Sequence, residues 1–257
     1  MRPKVSVIIP CYNYDKYIEH CILSVVVQKT SFPFEIIIGD DNSSDNSFLI
    51  AQRMQSTFQD ERIQFKVYKN EENIGEINNT KKLLQNSTGQ YVAYLDADDY
   101  WTFPNKLQTQ VEFMDQNPNY SLCITGFLWL QNGQFIPKND FTAWLCPIDT
   151  TSESLTKTNT IGSSSSRLFR NYNNLIKDYF VNFPYSDWPL NFELSLLGDI
   201  KYLDFPSYVY RIHDKSLSHY KSAAEKEKQE QLNFMRSQIL EKILDDITKQ
   251  KNSLSQS

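Results

Sequence analysis

Three carboxylates stand together at Asp96-Ala97-Asp98-Asp99, directly after the apolar run Tyr91-Val92-Ala93-Tyr94-Leu95. Charges this close repel, and either a proton or a cation must relieve them. A hard divalent ion suits such a group, because Mg2+-type sites combine one or two carboxylates with substrate phosphates. The alternative is a solvated turn that caps the helix opening near Pro104. The chain has only seven glycines, and neither GxGxxG nor GxxxxGK[ST] occurs. No glycine-rich loop is available to cradle phosphates, so a bound nucleoside diphosphate would need Mn2+ or Mg2+ to neutralise it.

Other polar groups follow strand-like runs in the same way. Pro10, Tyr12 and Asn13 come after Val5-Ser6-Val7-Ile8-Ile9, and Asp40 and Asp41 after Glu35-Ile36-Ile37-Ile38. Asn73 and Gly75 follow the alternating Ile63, Phe65 and Val67. In an open parallel sheet, ligands bind outside the carboxyl ends of the strands, so these groups and the acidic trio would share one rim. There Asp41 could accept from a base N–H or cap a helix, and Tyr12 could cover a base face or pack in the core. His20, His213 and His219 are too scattered for a zinc site, and His20 reads as structural.

The elements that position this rim are predicted from periodicity. Ile18, Cys21, Ile22 and Val25 mark one helix face, a second helix runs through Met54, and a third covers residues 76 to 86. Pro104 opens a fourth carrying Leu107, Val111 and Met114, which stops before Pro118. Strands and helices thus alternate, which predicts a mainly parallel α/β sheet sandwiched by helices. Beyond residue 120, Asn132-Gly133 signals a hairpin between Leu122 to Leu130 and Gln134 to Ile136. Thr150 to Ser166 reads as a loop. A short helix is predicted from near Pro189 to Gly198, with strand-like runs around Tyr202 and Tyr208 to Tyr210.

The charged tail carries Leu232, Met235, Ile239, Ile243 and Ile247 at helical spacing. This amphipathic helix must cover its apolar face with its own domain, a second copy of the chain in a homodimer, or a membrane surface. The predicted organisation is an α/β half over residues 1–120, a second half of the same domain over 121–221, and a tail over 222–257.

Bulk properties exclude several classes. At 257 residues, with 40% hydrophobic and 22% charged residues, the chain can bury a full core. A net charge of −5 offers no basic field for nucleic acid. Cys11, Cys21, Cys123 and Cys146 lack CxxC spacing and suit reduced, buried thiols. With no signal-like or membrane-spanning apolar stretch, the expected location is cytoplasmic, with peripheral contact at the inner membrane face left open.

The ordered combination of Val5 to Asn13, Glu35 to Asp45 and Gly89 to Asp99 resembles family 2 glycosyltransferases with the A-type fold. The resemblance implies that Pro10, Tyr12, Asn13 and Asp41 face the nucleotide, as do Asn73 and Asn79. It implies Asp96 near ribose and metal, Asp98 as a metal ligand and Asp99 as a second one. Ser186-Asp187-Trp188 resembles the family's Glu-Asp-x motif, which makes Asp187 the catalytic base, with Ser186 where an acid is usual. Tyr210-Arg211-Ile212-His213-Asp214-Lys215-Ser216 resembles the late segment that brings His213 to the metal and diphosphate. The resemblance also implies that the half over residues 1–120 binds a nucleotide-sugar and the half over 121–221 the acceptor.

The function so implied is an inverting, metal-dependent transfer of a sugar from a nucleotide-sugar, UDP by default, to a hydroxyl. The acceptor would be a glycan or a lipid-linked sugar, in surface polysaccharide synthesis. Alternatives are a sugar nucleotidyltransferase, for which Pro10 to Tyr14 lacks the expected phosphate loop, and a non-catalytic nucleotide-sugar-binding subunit. Asp187 could instead cap the helix opened by Pro189, with Asp178, Glu193 or Asp199 then serving as base.

Overall fold

The computed structural model describes residues 2–136, 150–161, 164–180, 183–214, 216 and 223–255, the side chains of 223, 254 and 255 aside. Its first half alternates strictly. β1 (Val5–Cys11), α1 (Ile18–Val26), β2 (Phe34–Asp40), α2 (Ser47–Thr57), β3 (Ile63–Lys69), α3 (Glu76–Gln85) and β4 (Tyr91–Tyr94) follow in order. β1 and β2 are buried along their whole length, which is why they read as unbroken apolar runs. Both pair in parallel, Val5 opposite Phe34 through Cys11 opposite Asp40.

The spatial order β3-β2-β1-β4 reverses direction between β1 and β4, which are also parallel. This is a topological switch point, where a crevice opens at the carboxyl ends of the two strands. The candidate groups after β1 and β4 therefore sit where the topology leaves room.

The rest of the chain extends the same sheet. β5 (Tyr100–Trp101), α4 (Lys106–Gln116), β6 (Tyr120–Gln131) and β7 (Gln134–Ile136) come next. α5 (Ser152–Lys157), β8 (Leu168–Arg170), α6 (Asp187–Leu197), β9 (Asp199–Ile212) and α7 (Ala223–Ser255) complete it. β8 joins β4 to β6 by antiparallel pairing on both sides, so the sheet is mixed from there on. Asn132 and Gly133 both take positive φ, 51° and 76°, in the predicted β6–β7 hairpin.

Three predictions are corrected. The stretch from Thr150 to Ser166 contains α5, nucleated by a capping box in which Thr151 and Ser154 exchange side-chain and backbone hydrogen bonds. The helix near Pro189 begins earlier, at Asp187, because proline's missing N–H costs nothing within a first turn. The two strand-like runs after it are one strand, β9, whose register against β6 shifts where Gly126 meets Pro206. Cys11, Cys21 and Cys123 are free and buried as expected; Cys146 lies outside the described residues.

Two apolar clusters cover the sheet's faces. One holds Val7, Ile9, Ile36, Ile38 and the inner sides of α1 and α4. The other holds Ile8, Ile37, Val92, Phe169, α6 and Leu240 of α7. The 33-residue α7 spans about 50 Å and packs against α5. Its buried side is Ser237, Leu240 and the partly buried Ile239, Ile243 and Leu244, whereas Met235 is 60% exposed. The predicted stripe is thus correct at Ile239 and Ile243 and wrong at Met235, because the helix turns a neighbouring arc toward α5. Among the described residues no helix is long and apolar enough to cross a membrane.

Leu240→Ala is expected to destabilise the fold by about 2–5 kcal/mol, as for other fully buried leucines. Met235→Ala should stay within about 0.5 kcal/mol. Denaturant midpoints compare the two, and equal shifts would contradict the packing described for α7.

Candidate active site

A cavity of about 710 Å3 opens at the switch point. It is lined by Pro10, Tyr12, Asp41, Asn73, Asn79, Asp96, Asp98 and Asp187, so most of the predicted site residues converge. A larger depression of about 1010 Å3 lies at the amino ends of β1 and β4, near Lys4 and Gly89, and none of the candidate residues lines it.

At the end of the cavity after β1 and β2, Tyr12 is 46% exposed, which excludes core packing as its role. Asp41 is buried, and it caps neither α2, whose N-cap is Asn46, nor any other helix through a local turn. Its Oδ1 accepts from Asn70 Nδ2 and Ile74 N–H, each at 2.9 Å, and its Oδ2 from Gly75 N–H at 2.9 Å. The carboxylate therefore holds the 73–75 loop in place. Gly75 needs its φ of +82° to turn there. Asn73 Oδ1 closes the same turn onto Gly75 N–H at 3.2 Å.

Asn79 reaches the cavity wall, but its amide is engaged by Gly39 O at 2.7 Å and Asn70 Nδ2 at 3.2 Å. It braces β2 against the loop. Asn13 does not line the cavity. Its positive φ of 58° sets a turn, and its Oδ1 accepts from Ser44 N–H at 2.9 Å, tying the β1 loop to the β2 loop.

The acidic trio divides. Asp96 and Asp98 face the cavity, while Asp99 is 1% exposed and does not. Asp99 accepts from Ser165 Oγ at 2.7 Å and Arg211 N–H at 3.0 Å. Asp99 therefore stands outside the cavity lining, with one hydrogen bond already accepted by each of its oxygens. Burial pushes Asp96 and Asp99 well above the usual carboxylate range, and the Asp98 charge beside them adds to it. Arg167, fully buried with no hydrogen-bond partner for its guanidinium, pulls Asp96 back down.

His213 Nε2 lies 3.0 Å from Asp98 Oδ2, and its ring stacks on Tyr17. His213 thus reaches Asp98 from outside the cavity lining. Arg211 bonds the Asp98 carbonyl at 2.5 Å and His20 Nδ1 at 2.7 Å, while its guanidinium lies over Tyr100. Because a guanidinium can only donate, His20 is a neutral acceptor. Burial and then Arg211 both lower its pKa. His20 is structural, as its sequence position suggests.

Among the described residues no cluster of three His, Cys, Asp or Glu side chains is set to hold an ion alone. The donor set nevertheless fits a divalent cation that shares its shell with phosphates. Two cavity-facing carboxylates repel each other, and hard cations need only one or two such ligands.

Asp187 occupies the first turn of α6, half-buried, and is not that helix's N-cap, which is Ser186. Its Oδ2 accepts from Asn159 Nδ2 at 2.7 Å, and Asn159 Oδ1 in turn accepts from Asn191 at 2.7 Å. Trp188 Nε1 donates to Leu155 O of α5 at 2.6 Å. The short helix absent from the sequence prediction thus helps aim Asp187. Asp178, Glu193 and Asp199 are committed to Lys81, Tyr179 and Asn119, and none of them lines the cavity.

Glu76 escaped the sequence reading. Its Oε2 accepts from Ser186 N–H at 2.6 Å, and its Oε1 from Ser186 Oγ at 2.6 Å, Tyr94 OH at 2.7 Å and Thr80 Oγ1 at 2.8 Å. Burial raises its pKa while these donors oppose the rise. The carboxylate clamps the start of α6 to α3 and β4. Its only sequence signal is position, directly after Asn73-Ile74-Gly75. Glu76→Gln turns an N–H toward donors that cannot all rotate away. Transfer by that variant is expected to fall about tenfold, the worth of one or two charged hydrogen bonds. Nucleotide affinity by calorimetry should hold, and a loss confined to nucleotide binding would refute the clamp.

The chain matches the model of "Glycosyl transferase family 2" over residues 6–174, and it belongs to that family. It is 42% identical over 139 residues to the putative teichuronic acid biosynthesis glycosyltransferase TuaG of Bacillus subtilis, covering 53% of this chain and 52% of that one. It is 32% identical over 126 residues to the putative glycosyltransferase EpsE of the same organism, covering 49% and 44%. The chain spans about half the length, or less, of the curated relatives it matches.

Among solved structures it is similar to S. aureus TarS 1-349 in complex with UDP-GlcNAc. That likeness has a TM-score of 0.64 and 23% identity over 91% of this chain and 66% of that one. The mannosyltransferase PcManGT of Pyrobaculum calidifontis, in complex with GDP-Man and Mn2+, gives 0.61 and 19% over 84% and 59%. These likenesses show the A-type fold.

Proposed function

We propose that the chain is a cytoplasmic, inverting glycosyltransferase that moves a sugar from a nucleoside-diphosphate-sugar to a hydroxyl of a glycan or lipid-linked acceptor. Surface polysaccharide synthesis is the proposed setting, in keeping with the name of TuaG, a putative teichuronic acid biosynthesis glycosyltransferase. One observation carries this reading. A paired carboxylate site, Asp96 and Asp98, and a separate carboxylate, Asp187, open into one cavity at the switch point.

Asp41 supports recognition of a base with a ring N–H, as in uracil. A carboxylate has about four acceptor positions, and three of Asp41's are used, leaving one on Oδ2. Tyr12 supplies an exposed ring for the base face. TarS and PcManGT, the structural neighbours, are named with UDP-GlcNAc and with GDP-Man and Mn2+, which fits a nucleotide-sugar donor and a divalent ion here.

Asp98, backed by Asp96, would hold Mn2+ or Mg2+, and the bound ion would neutralise the departing diphosphate. Asp187 takes the proton of the acceptor hydroxyl as that oxygen bonds to the anomeric carbon. The carbon–phosphate oxygen bond breaks on the opposite face, and its electron pair leaves with the nucleoside diphosphate. Asn159 keeps Asp187 oriented for that transfer.

Thermal shift with UDP-, dTDP- and GDP-sugars, with and without Mn2+, tests the donor site. Ligand at about 100 times its Kd adds roughly 2.7 kcal/mol of stability. Stabilisation by one nucleotide class that needs the ion is the expected result. No stabilisation by any of them would refute the reading.

A further inference from the structure

The cavity is acidic apart from one side chain of the tail helix. Among its described lining residues, Asp41, Glu76, Asp96, Asp98 and Asp187 are acids, and Arg236 is the single Lys or Arg. Arg236 belongs to a polar face of α7 that also brings Gln229 and Asn233 to the cavity, at the i, i+4, i+7 spacing of one helix side. Its guanidinium lies 5.9 Å from the Phe183 ring centre, and its NH1 donates to Asn233 Oδ1 at 2.9 Å.

That bond uses one of five N–H donors. The charges and rings acting on Arg236 are those at the start of α6, Asp187 and Tyr185, whereas the guanidinium acting on Asp96 is Arg167's. Among the described residues the Arg236 guanidinium forms no ion pair within 4 Å and feels Asp187 only at longer range, so a ligand anion would complete this half-buried cation. A guanidinium fork fits a carboxylate or phosphate in two-point fashion.

We propose that Arg236 binds an oxyanion on the acceptor, so that this transferase selects an acidic acceptor sugar, one bearing a carboxylate or a phosphate. The inference rests on the reading of Asp187 as the acceptor-side base. It gives α7 a role in substrate choice as well as in packing. It also explains why, among the described lining residues, a cavity crowded with carboxylates keeps one cation near Asp187 and none near Tyr12.

The test is calorimetric titration of the full chain, pre-loaded with UDP and Mg2+, with glucuronic acid, glucose 1-phosphate and glucose. The wild-type protein should bind at least one of the two anions about tenfold or more tightly than glucose. Preference for glucuronic acid assigns a carboxylate, and preference for glucose 1-phosphate assigns a phosphate. Arg236→Gln should weaken the preferred anion by about 10- to 100-fold and change glucose binding much less. Arg236→Lys, which keeps charge but loses the fork, should fall between and serves as the readout if the glutamine variant does not fold.

A wild-type protein that binds neither anion more tightly than glucose overturns the proposal. So does equal weakening of anion and glucose, or a matching loss of UDP affinity, which would give Arg236 to the donor phosphates. Failure of UDP and Mg2+ to bind the wild-type protein is a different result, because it removes the donor site on which the whole functional reading stands.

Discussion

Replacing Asp187 by Asn is expected to lower sugar transfer by about 10²–10⁴-fold, the usual contribution of a positioned general base. An amide cannot take the acceptor's proton, yet it keeps the size and an acceptor oxygen for Asn159. The Asn159–Asn191 chain that orients the side chain should therefore survive. Stability should change by less than about 1 kcal/mol, because what is lost is one negative charge in the first turn of α6. Nucleotide affinity should also hold, since Asp187 stands apart from the carboxylates after β4. Turnover under saturating donor and acceptor, alongside a thermal melt, measures both parts. Transfer within a few-fold of the parent would remove Asp187 as base. Asp178, Glu193 and Asp199 are outside the cavity, and the acceptor positions of Glu76 are taken by Ser186, Tyr94 and Thr80, so none of these would replace it as it stands.

The second large effect is expected at Asp98. Asp98→Asn removes a charged oxygen from a pair of cavity-facing carboxylates. Changes to groups that merely orient a ligand typically cost about 10–100-fold in metal affinity, and loss of a direct ligand should cost at least as much. UDP titrations with Mn2+ should therefore show at least about a tenfold rise in Kd. Without Mn2+ the affinity should stay level or improve, because the variant repels the diphosphate less. The opposite signs of the two titrations separate a ligand role from general damage to the site. Equal affinities for parent and variant in Mn2+ would make Asp98 a partner of His213 and nothing more.

The first half of the fold was legible because its signals are local. Fully buried parallel strands read as unbroken apolar runs, and each is followed by the polar groups that the carboxyl-end rule sends to one rim. Asp41, Asp96 and Asp98 are found at that rim for this reason. Side-chain direction was not legible. Asp99 follows Asp98 in sequence but turns inward, because Ser165 and Arg211, 66 and 112 residues away, supply its donors. Asn13 and Asn79 sit beside the site but spend their amides on backbone.

The surroundings of Asp187 were harder still. Glu76 matters through Ser186, 110 residues distant, and no periodicity announces such a pair. α5 has only six residues, too few for an apolar period, and is marked mainly by its capping box. In the tail, Gln229, Asn233 and Arg236 share a helical spacing as readable as that of the apolar stripe, but polar residues at such spacing are also what an exposed helix face carries.

The proposed activity is transfer of a sugar from a nucleotide-sugar in this cavity. The most direct test is metal-dependent release of nucleoside diphosphate from a panel of UDP-, dTDP- and GDP-sugars, with oligosaccharide acceptors added and products followed by mass spectrometry. A product heavier by one sugar is expected, formed with one donor class, requiring Mn2+ or Mg2+ and lost with Asp187→Asn. Binding of a nucleotide-sugar with no transfer to any acceptor, or transfer that Asp187→Asn leaves intact, would contradict it.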